Sequence, residues 1–189
     1  MSRITALFSS PRRTLAALAT VLVAVGITAA SGADFTASSA NPANTFATGT
    51  LSIYNSKEAA AVLTAAGMRP GAAATTGTVD IGNTGSLAGT FALNRGTPVD
   101  SDSVNPLSGK LNVKVVDCGL FVGATAPTCD VGDTVKYTGT LASMSSPISL
   151  GTFTGTEKHR YEFSVSVDAS AGNPYQGDTS ETVFTWTAV

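Results

Sequence analysis

The chain has 189 residues, of which 43% are hydrophobic, 13% charged and 7% aromatic, and its formal net charge is −2. This charge is too low for a nucleic-acid-binding protein, which neutralises phosphates with clustered Lys and Arg. A disordered tail would carry more charge and fewer apolar residues. The composition therefore predicts a folded protein with one substantial core, and it excludes nucleic acid and anionic lipid as expected partners.

The N-terminus has the three parts of a secretory signal peptide. Arginines precede an apolar stretch from Leu15 to Ala30, and small residues follow it. The stretch is shorter than the roughly 20 residues that a membrane-spanning helix needs. We therefore predict that residues 1–33 are removed by cleavage after Ala33, which leaves a secreted, extracellular or cell-surface protein with no stable membrane anchor. A retained anchor and a twin-arginine signal are the alternatives.

Residues 34–48 form a weakly apolar segment of Ser, Thr, Asn, Ala and Pro. Phe35 and Phe46 are its only large apolar side chains, and they are too few to hold a terminal segment in place. Two interpretations stay open. The segment is either a loose tail, or a strand that becomes ordered when it joins a sheet edge of another molecule, with pockets for its aromatic side chains.

Alternation of apolar and polar residues dominates the chain from residue 49 onward, as is typical of half-buried strands. In the clearest example, from Tyr161 to Asp168, the aromatic and valine side chains share one face. In the last predicted strand, Phe184 and Trp186 share the core side. The predicted strands are Thr50–Tyr54, Ala61–Ala65, Thr78–Ile81, Phe91–Asn94, Lys110–Val115, Thr134–Leu141, Pro147–Phe153, Tyr161–Asp168 and Thr182–Ala188.

Gly, Pro and Asn separate these strands, and no later segment keeps a helical period over three turns. The alanine-rich stretch Lys57–Ala66 could add one helical turn. About eight to ten short strands with regular turns predict an all-β fold. We expect a single two-sheet antiparallel β-sandwich over residues 49–189, jelly-roll or immunoglobulin-like.

Cys118 and Cys129 are the two cysteines of the chain. Glycines and Pro127 lie between them and allow the chain to double back, so a disulfide can close this loop in an oxidising compartment. Reduced thiols and a metal site are the alternatives, although a metal would need more ligands than lie nearby.

Catalytic motifs are missing from the sequence. His159 is the single histidine, which excludes an HExxH zinc site and any other site built on two histidines. No G-x-S-x-G motif presents a nucleophile, and no glycine-rich phosphate loop opens a helix. We interpret His159 as a solvated residue at the start of a strand, and we predict no catalytic residue and no cofactor.

Two pairs of carboxylates lie in turns. Asp100 and Asp102 begin a stretch like the start of a calcium loop, but Leu111 stands where such a loop has its glutamate. Asp130 and Asp133 form the second pair. We interpret all four as solvated turn residues that bind nearby backbone amides, with a cation near Asp100 and Asp102 as the alternative.

Three segments in order resemble the TasA and camelysin family of secreted bacterial biofilm-matrix proteins. They are Phe35-Thr36 with Asn44–Leu51, then Gly67–Gly71 leading to Asn83–Leu87, and lastly Asn173-Pro174-Tyr175-Gln176-Gly177 before the final strand. The expected roles of these residues are structural. Pro70 and Gly71 form a turn, and Asn83 and Gly85 tolerate left-handed backbone. Gly177 lets the chain bend before the last strand.

This resemblance implies a jelly-roll-like sandwich, export through a dedicated signal peptidase, and self-association into extracellular fibres of a biofilm matrix. It implies that residues 34–48 donate a strand to a neighbouring subunit, with Phe35 and Phe46 as anchors. The camelysin name also carries a metalloendopeptidase label, but this chain lacks a recognisable zinc ligand set. A secreted adhesive or carbohydrate-binding module is the main alternative, although the chain has only one Trp and four Tyr for such a surface.

Overall fold

The computed structural model describes residues 47–130 and 132–189, together with the short ranges 11–12, 15–16 and 18–19. Ala47–Val189 is one compact unit, and the hydrophobic core of the described residues lies within it. The predicted cleavage site at Ala33 and the predicted anchors Phe35 and Phe46 lie outside the described residues.

Ten strands and two 3-10 turns make up this unit. The 3-10 turns are Leu107–Gly109 and Asn173–Tyr175. The strands are β1 (Ile53–Asn55), β2 (Thr75–Asn83), β3 (Gly89–Arg95), β4 (Val99–Asp100), β5 (Leu111–Phe121), β6 (Thr134–Thr140), β7 (Ile148–Phe153), β8 (Lys158–Val167), β9 (Ser180–Glu181) and β10 (Phe184–Ala188).

Eight of these strands form two antiparallel sheets that face each other across one core. The larger sheet has the order β1-β2-β8-β5-β6, and the smaller one has the order β10-β3-β7. β4 and β9 pair separately as a short ribbon. The predicted all-β sandwich is confirmed, while the finer jelly-roll or immunoglobulin-like assignment stays a prediction.

Period-two alternation places the core, as the sequence predicts. Tyr161 and Phe163 of β8 point inward and are almost fully buried, while their neighbours in the strand are half-buried. Phe91 of β3 stacks on Phe153 of β7 with 4.3 Å between ring centroids. Each such buried aromatic side chain contributes about 2 kcal/mol through the removal of apolar surface from water.

Two local predictions near the start of the unit are wrong. Ala61–Ala65 is not a strand, because no neighbouring strand pairs with it. Lys57–Ala66 contains no helical turn, only a hydrogen-bonded turn in which the N–H of Ala60 donates to the carbonyl of Lys57 at 3.0 Å. The first strand begins at Ile53 and not at Thr50.

Candidate functional site

A large apolar groove opens between the two sheets beside β10, with a volume of about 1080 Å³. Core-facing residues of β5 and β8 form its floor, and β10 forms one wall. Residues 59–68 form another wall. The groove exposes part of the core that a further strand would cover. Its main apolar side chains are Leu111, Val113, Val165, Val167, Phe184 and Trp186.

Among the described residues, β10 is an edge strand with unpaired backbone groups beside this groove. The N–H of Thr90 donates to the carbonyl of Val189 at 2.7 Å, and the N–H of Val189 donates back to Thr90 at 3.1 Å. Such hydrogen-bonded pairs alternate along antiparallel strands. The peptide groups of Phe184, Trp186 and Ala188 therefore point away from β3, where they can pair with another chain.

Two segments that carry the family resemblance border the groove. Pro70 bridges to Val167 at the end of β8, and the N–H of Gly71 donates to the carbonyl of Val167 at 3.1 Å. Gly71 has φ +70° and Gly177 has φ +82°, a backbone region that favours glycine. The second segment, Asn173–Gly177, begins with the 3-10 turn Asn173–Tyr175. The lining residues from these two segments are Gly67, Met68, Pro70, Tyr175, Gln176 and Gly177.

Asn83 and Gly85 have a different role from the one expected, since neither has a positive φ. Asn83 is completely buried, and its side-chain oxygen accepts a hydrogen bond from the N–H of Gly85 at 2.8 Å. Its amide group donates to the carbonyls of Leu87 at 2.6 Å and Phe153 at 3.2 Å. A Cβ at Gly85 would overlap the carbonyl of Thr50. The pair therefore holds the chain that leads into β1 tightly against the turn after β2.

A charged cluster at the start of β8 was missed by sequence reasoning. His159 Nδ1 lies 2.9 Å and 3.1 Å from the carboxylate oxygens of Asp117, and its Nε2 lies 3.1 Å from Glu157 Oε1. Lys136 Nζ lies 3.4 Å from Asp117. The His159 ring stacks on Phe153 with 4.5 Å between centroids. The interpretation of His159 as a solvated residue is wrong, because its side chain is only 16% exposed.

This cluster favours a protonated histidine. Burial lowers the His159 pKa, but the hydrogen bonds and charges of Asp117 and Glu157 outweigh burial and raise it. Burial also acts to raise the pKa values of the two carboxyls, yet hydrogen bonds, including those with His159, lower both. Burial raises the pKa of the neighbouring Tyr161, so its hydroxyl stays neutral. Both imidazole nitrogens face carboxylates, so neither is free to take a proton from a nucleophile.

We expect the free energy of unfolding to fall as His159 loses its proton, because the hydrogen bonds and charges of Asp117 and Glu157 favour the protonated ring. Because its pKa is raised in the folded state, this contribution is complete below 6.5, the ordinary value, and is lost as pH rises through the raised pKa. The carboxyl contributions are present above their ordinary values of 3.8 and 4.5, and they are lost as pH falls through the lowered ones. Urea unfolding between pH 5.5 and 9 measures the alkaline decline.

The control for this prediction is His159→Gln. This substitution removes the only histidine and leaves in place the N-terminal α-amino group, which also titrates in this pH range. This variant should be less stable at pH 6 but should show no alkaline decline between pH 6.5 and 9. An equal decline in both proteins would assign it to another group.

The remaining predicted residues have local roles. The structure contains the Cys118–Cys129 disulfide. Asp100 accepts hydrogen bonds from the N–H of Ser108 at 2.8 Å and from its hydroxyl at 2.6 Å. Asp102 accepts from the N–H of Val104 at 2.8 Å. These contacts match carboxylates that bind turn amides.

Comparison with known proteins leaves the resemblance as a proposal, since no family model and no curated protein matches the chain. In the described ranges, no group of three or more His, Cys, Asp or Glu side chains could hold a metal ion. No helix in those same ranges is long and apolar enough to cross a membrane.

Proposed function

We propose that this protein is a secreted structural subunit that assembles into extracellular fibres by N-terminal strand donation. In this proposal, residues 34–48 of one copy add as a strand to the free edge of β10 in the next copy. One observation carries the proposal: an unpaired strand edge lies beside an open apolar groove of about 1080 Å³. Main-chain hydrogen bonds along β10 would provide affinity, and the groove would bind alternate side chains of the donor.

The position of Leu51 supports the choice of donor. A Cβ at Gly89 would lie 2.6 Å from a Leu51 methyl carbon and 3.2 Å from the carbonyl of Val189. The chain that follows the donor segment therefore enters the sandwich beside the C-terminal end of β10. The donor segment of each copy therefore starts close to the free edge of β10 in the same copy. Each copy can then donate to one neighbour and accept from another, so head-to-tail contacts can repeat and form a fibre.

Two further features support export and assembly. A disulfide persists in oxidising compartments, which agrees with a secreted protein. The segments that resemble the TasA and camelysin family include both the donor segment and the border of the groove. On this proposal the protein belongs in a biofilm matrix, with a jelly-roll-like sandwich and removal of residues 1–33 by a dedicated signal peptidase.

The proposal is tested by electron microscopy and size-exclusion chromatography on two purified chains, one that begins at Asp34 and one that begins at Gly49. We expect fibres from the longer chain and monomers from the shorter one. Addition of a peptide with the sequence of residues 34–48 should stop fibre growth, whereas a scrambled peptide should not. Fibres from both chains would contradict strand donation, and two identical monomers would favour a binding module.

Replacement of either donor anchor should weaken assembly. Burial of a Phe side chain contributes about 2 kcal/mol, so Phe35→Ala or Phe46→Ala should raise the concentration needed for assembly by about tenfold or more. Sedimentation of fibres across a concentration series measures this threshold. Ser39→Ala in the same segment is the matched control and should leave the threshold unchanged. A threshold that is equal in all three variants would exclude these aromatic side chains as anchors.

A further inference from the structure

The two sheets of the sandwich differ in size, and the difference lies at the groove. The larger sheet has five strands and the smaller one has three. The smaller sheet is two strands short of the larger one, and its edge strand β10 lines the groove. Residues 59–68 line the same groove as β10.

Residues 61–68 make no hydrogen bond within the part of the chain that the structure describes, which is unusual for eight consecutive residues of a folded unit. The segment nevertheless lies against the sandwich. A Cβ at Gly77 would overlap the carbonyl oxygen of Val62 and would lie 3.3 Å from the Cα of Leu63. Val62 and Leu63 are half-buried, and Val62 packs on the core.

Both ends of the segment carry turns in left-handed backbone. Ala59 has φ +58° and Gly67 has φ +61°. The residues between them are not helical, and residues 61–65, Ala-Val-Leu-Thr-Ala, carry a strand pattern with a bend at Val62. Left-handed backbone therefore bounds residues 60–66 at both ends, and this stretch has no hydrogen-bonding partner among the described residues.

We infer that residues 61–68 form the second edge of the acceptor groove, and that the stretch 61–66 becomes a strand when the donor segment of a second copy enters. The donor then pairs with β10 on one side and with residues 61–68 on the other. The smaller sheet gains two strands, in the order 61–68, donor, β10, β3, β7, and faces the larger sheet with five strands of its own. This inference rests on the proposed function, since the partner is residues 34–48 of another copy.

Hydrogen exchange tests this inference on the chain that begins at Gly49, because the compact unit holds its whole core without the donor. The probe is a synthetic peptide of residues 34–48. In the free chain, the amides of residues 61–68 should exchange rapidly. With saturating peptide, alternate amides in this segment should exchange at least about tenfold more slowly, as should those of β10.

Proline substitutions provide the second measurement. Thr64 and Ala65 are exposed and make no hydrogen bonds, so proline at either position should leave the free chain stable. Alternate residues of a strand face a given neighbour, so one of Thr64→Pro and Ala65→Pro should weaken peptide binding by about tenfold. Ala73→Pro, in an exposed coil outside the groove, is the matched control and should bind as the unmodified chain does.

The outcomes separate this inference from the proposed function. If the peptide binds and protects β10, but residues 61–68 exchange as before and all three proline variants bind equally, the second edge is overturned while strand donation stands. If the peptide does not bind the unmodified chain, strand donation itself fails. Protection of both segments, together with weaker binding by a variant at residue 64 or 65, supports the two-edged groove.

Discussion

Asn83→Ala should lower the free energy of unfolding by about 4 kcal/mol, because it removes three side-chain hydrogen bonds to backbone groups, two of them buried. The Asn83 side chain is the hydrogen-bond partner of the Gly85 N–H and of the carbonyls of Leu87 and Phe153. Asn83 is completely buried, and its bonds to Gly85 and Phe153 are buried with it, so water cannot replace those two bonds without a change in the packing. Domains of this size are stable by only about 5–15 kcal/mol, so the loss is a large fraction of the total.

Urea unfolding followed by the fluorescence of the single Trp measures the effect. Asn94→Ala on β3 is the matched control. Asn94 donates one exposed hydrogen bond to Thr187 Oγ1 at 3.0 Å and accepts another from the Ser146 hydroxyl at 3.2 Å, so the loss of both should cost about 1 kcal/mol. If the two variants unfold at urea concentrations that differ by less than the equivalent of 1 kcal/mol, the buried hydrogen bonds of Asn83 do not hold the turn as the geometry indicates.

The Asn83 turn also bears on assembly. Ser86 and Leu87, which follow it, donate their N–H groups to the carbonyl of Thr50 at 2.8 Å and 2.9 Å. These bonds fix the chain just after the proposed donor. A loosened turn would therefore free the root of the donor segment, and Asn83→Ala should disturb fibre formation even at temperatures where the sandwich stays folded.

Loss of the Cys118–Cys129 disulfide should lower the free energy of unfolding by about 3 kcal/mol. The bond joins residues 11 apart and closes the loop between β5 and β6. Its main effect is to restrict the unfolded chain, and the cost follows from loop length. Two side-chain contacts also hold the loop. Lys158 Nζ donates to the carbonyl of Gly123 at 3.3 Å, and Arg160 Nη1 donates to the carbonyl of Pro127 at 3.4 Å. Hydrogen bonds of this length are too weak to replace the disulfide.

The disulfide also adjoins the charged cluster, since Asp117 precedes Cys118 in the bulged part of β5. Reduction should therefore loosen Asp117 and lower the pKa of His159 toward its ordinary value. Urea unfolding with and without a reductant measures stability, and the NMR signals of the single histidine report its pKa. The double variant Cys118→Ala/Cys129→Ala is the control, and a reductant should not change it further. An unchanged midpoint after complete reduction would contradict this prediction.

His159 shows how far reasoning from the sequence reached. The charged neighbours Glu157, Lys158 and Arg160 favoured a solvated residue. Its position two residues before Tyr161 was the signal for the opposite conclusion, because period two places both side chains on the inward face. The Asp117 contact had no such signal, since it depends on a register shift in β5 between Asp117 and Gly119.

The apolar alternation of this chain was sufficient to predict an all-β sandwich, most of its strands and its core faces, since side-chain direction in a strand depends on nearest neighbours alone. The cysteine spacing likewise predicted the loop that the disulfide closes. Residues 61–65 have a strand pattern but no partner, because pairing depends on which edges the sheets leave free. The groove, the open edge of β10 and the His159 cluster arise where residues distant in the chain meet, and contacts of that kind are properties of the folded molecule.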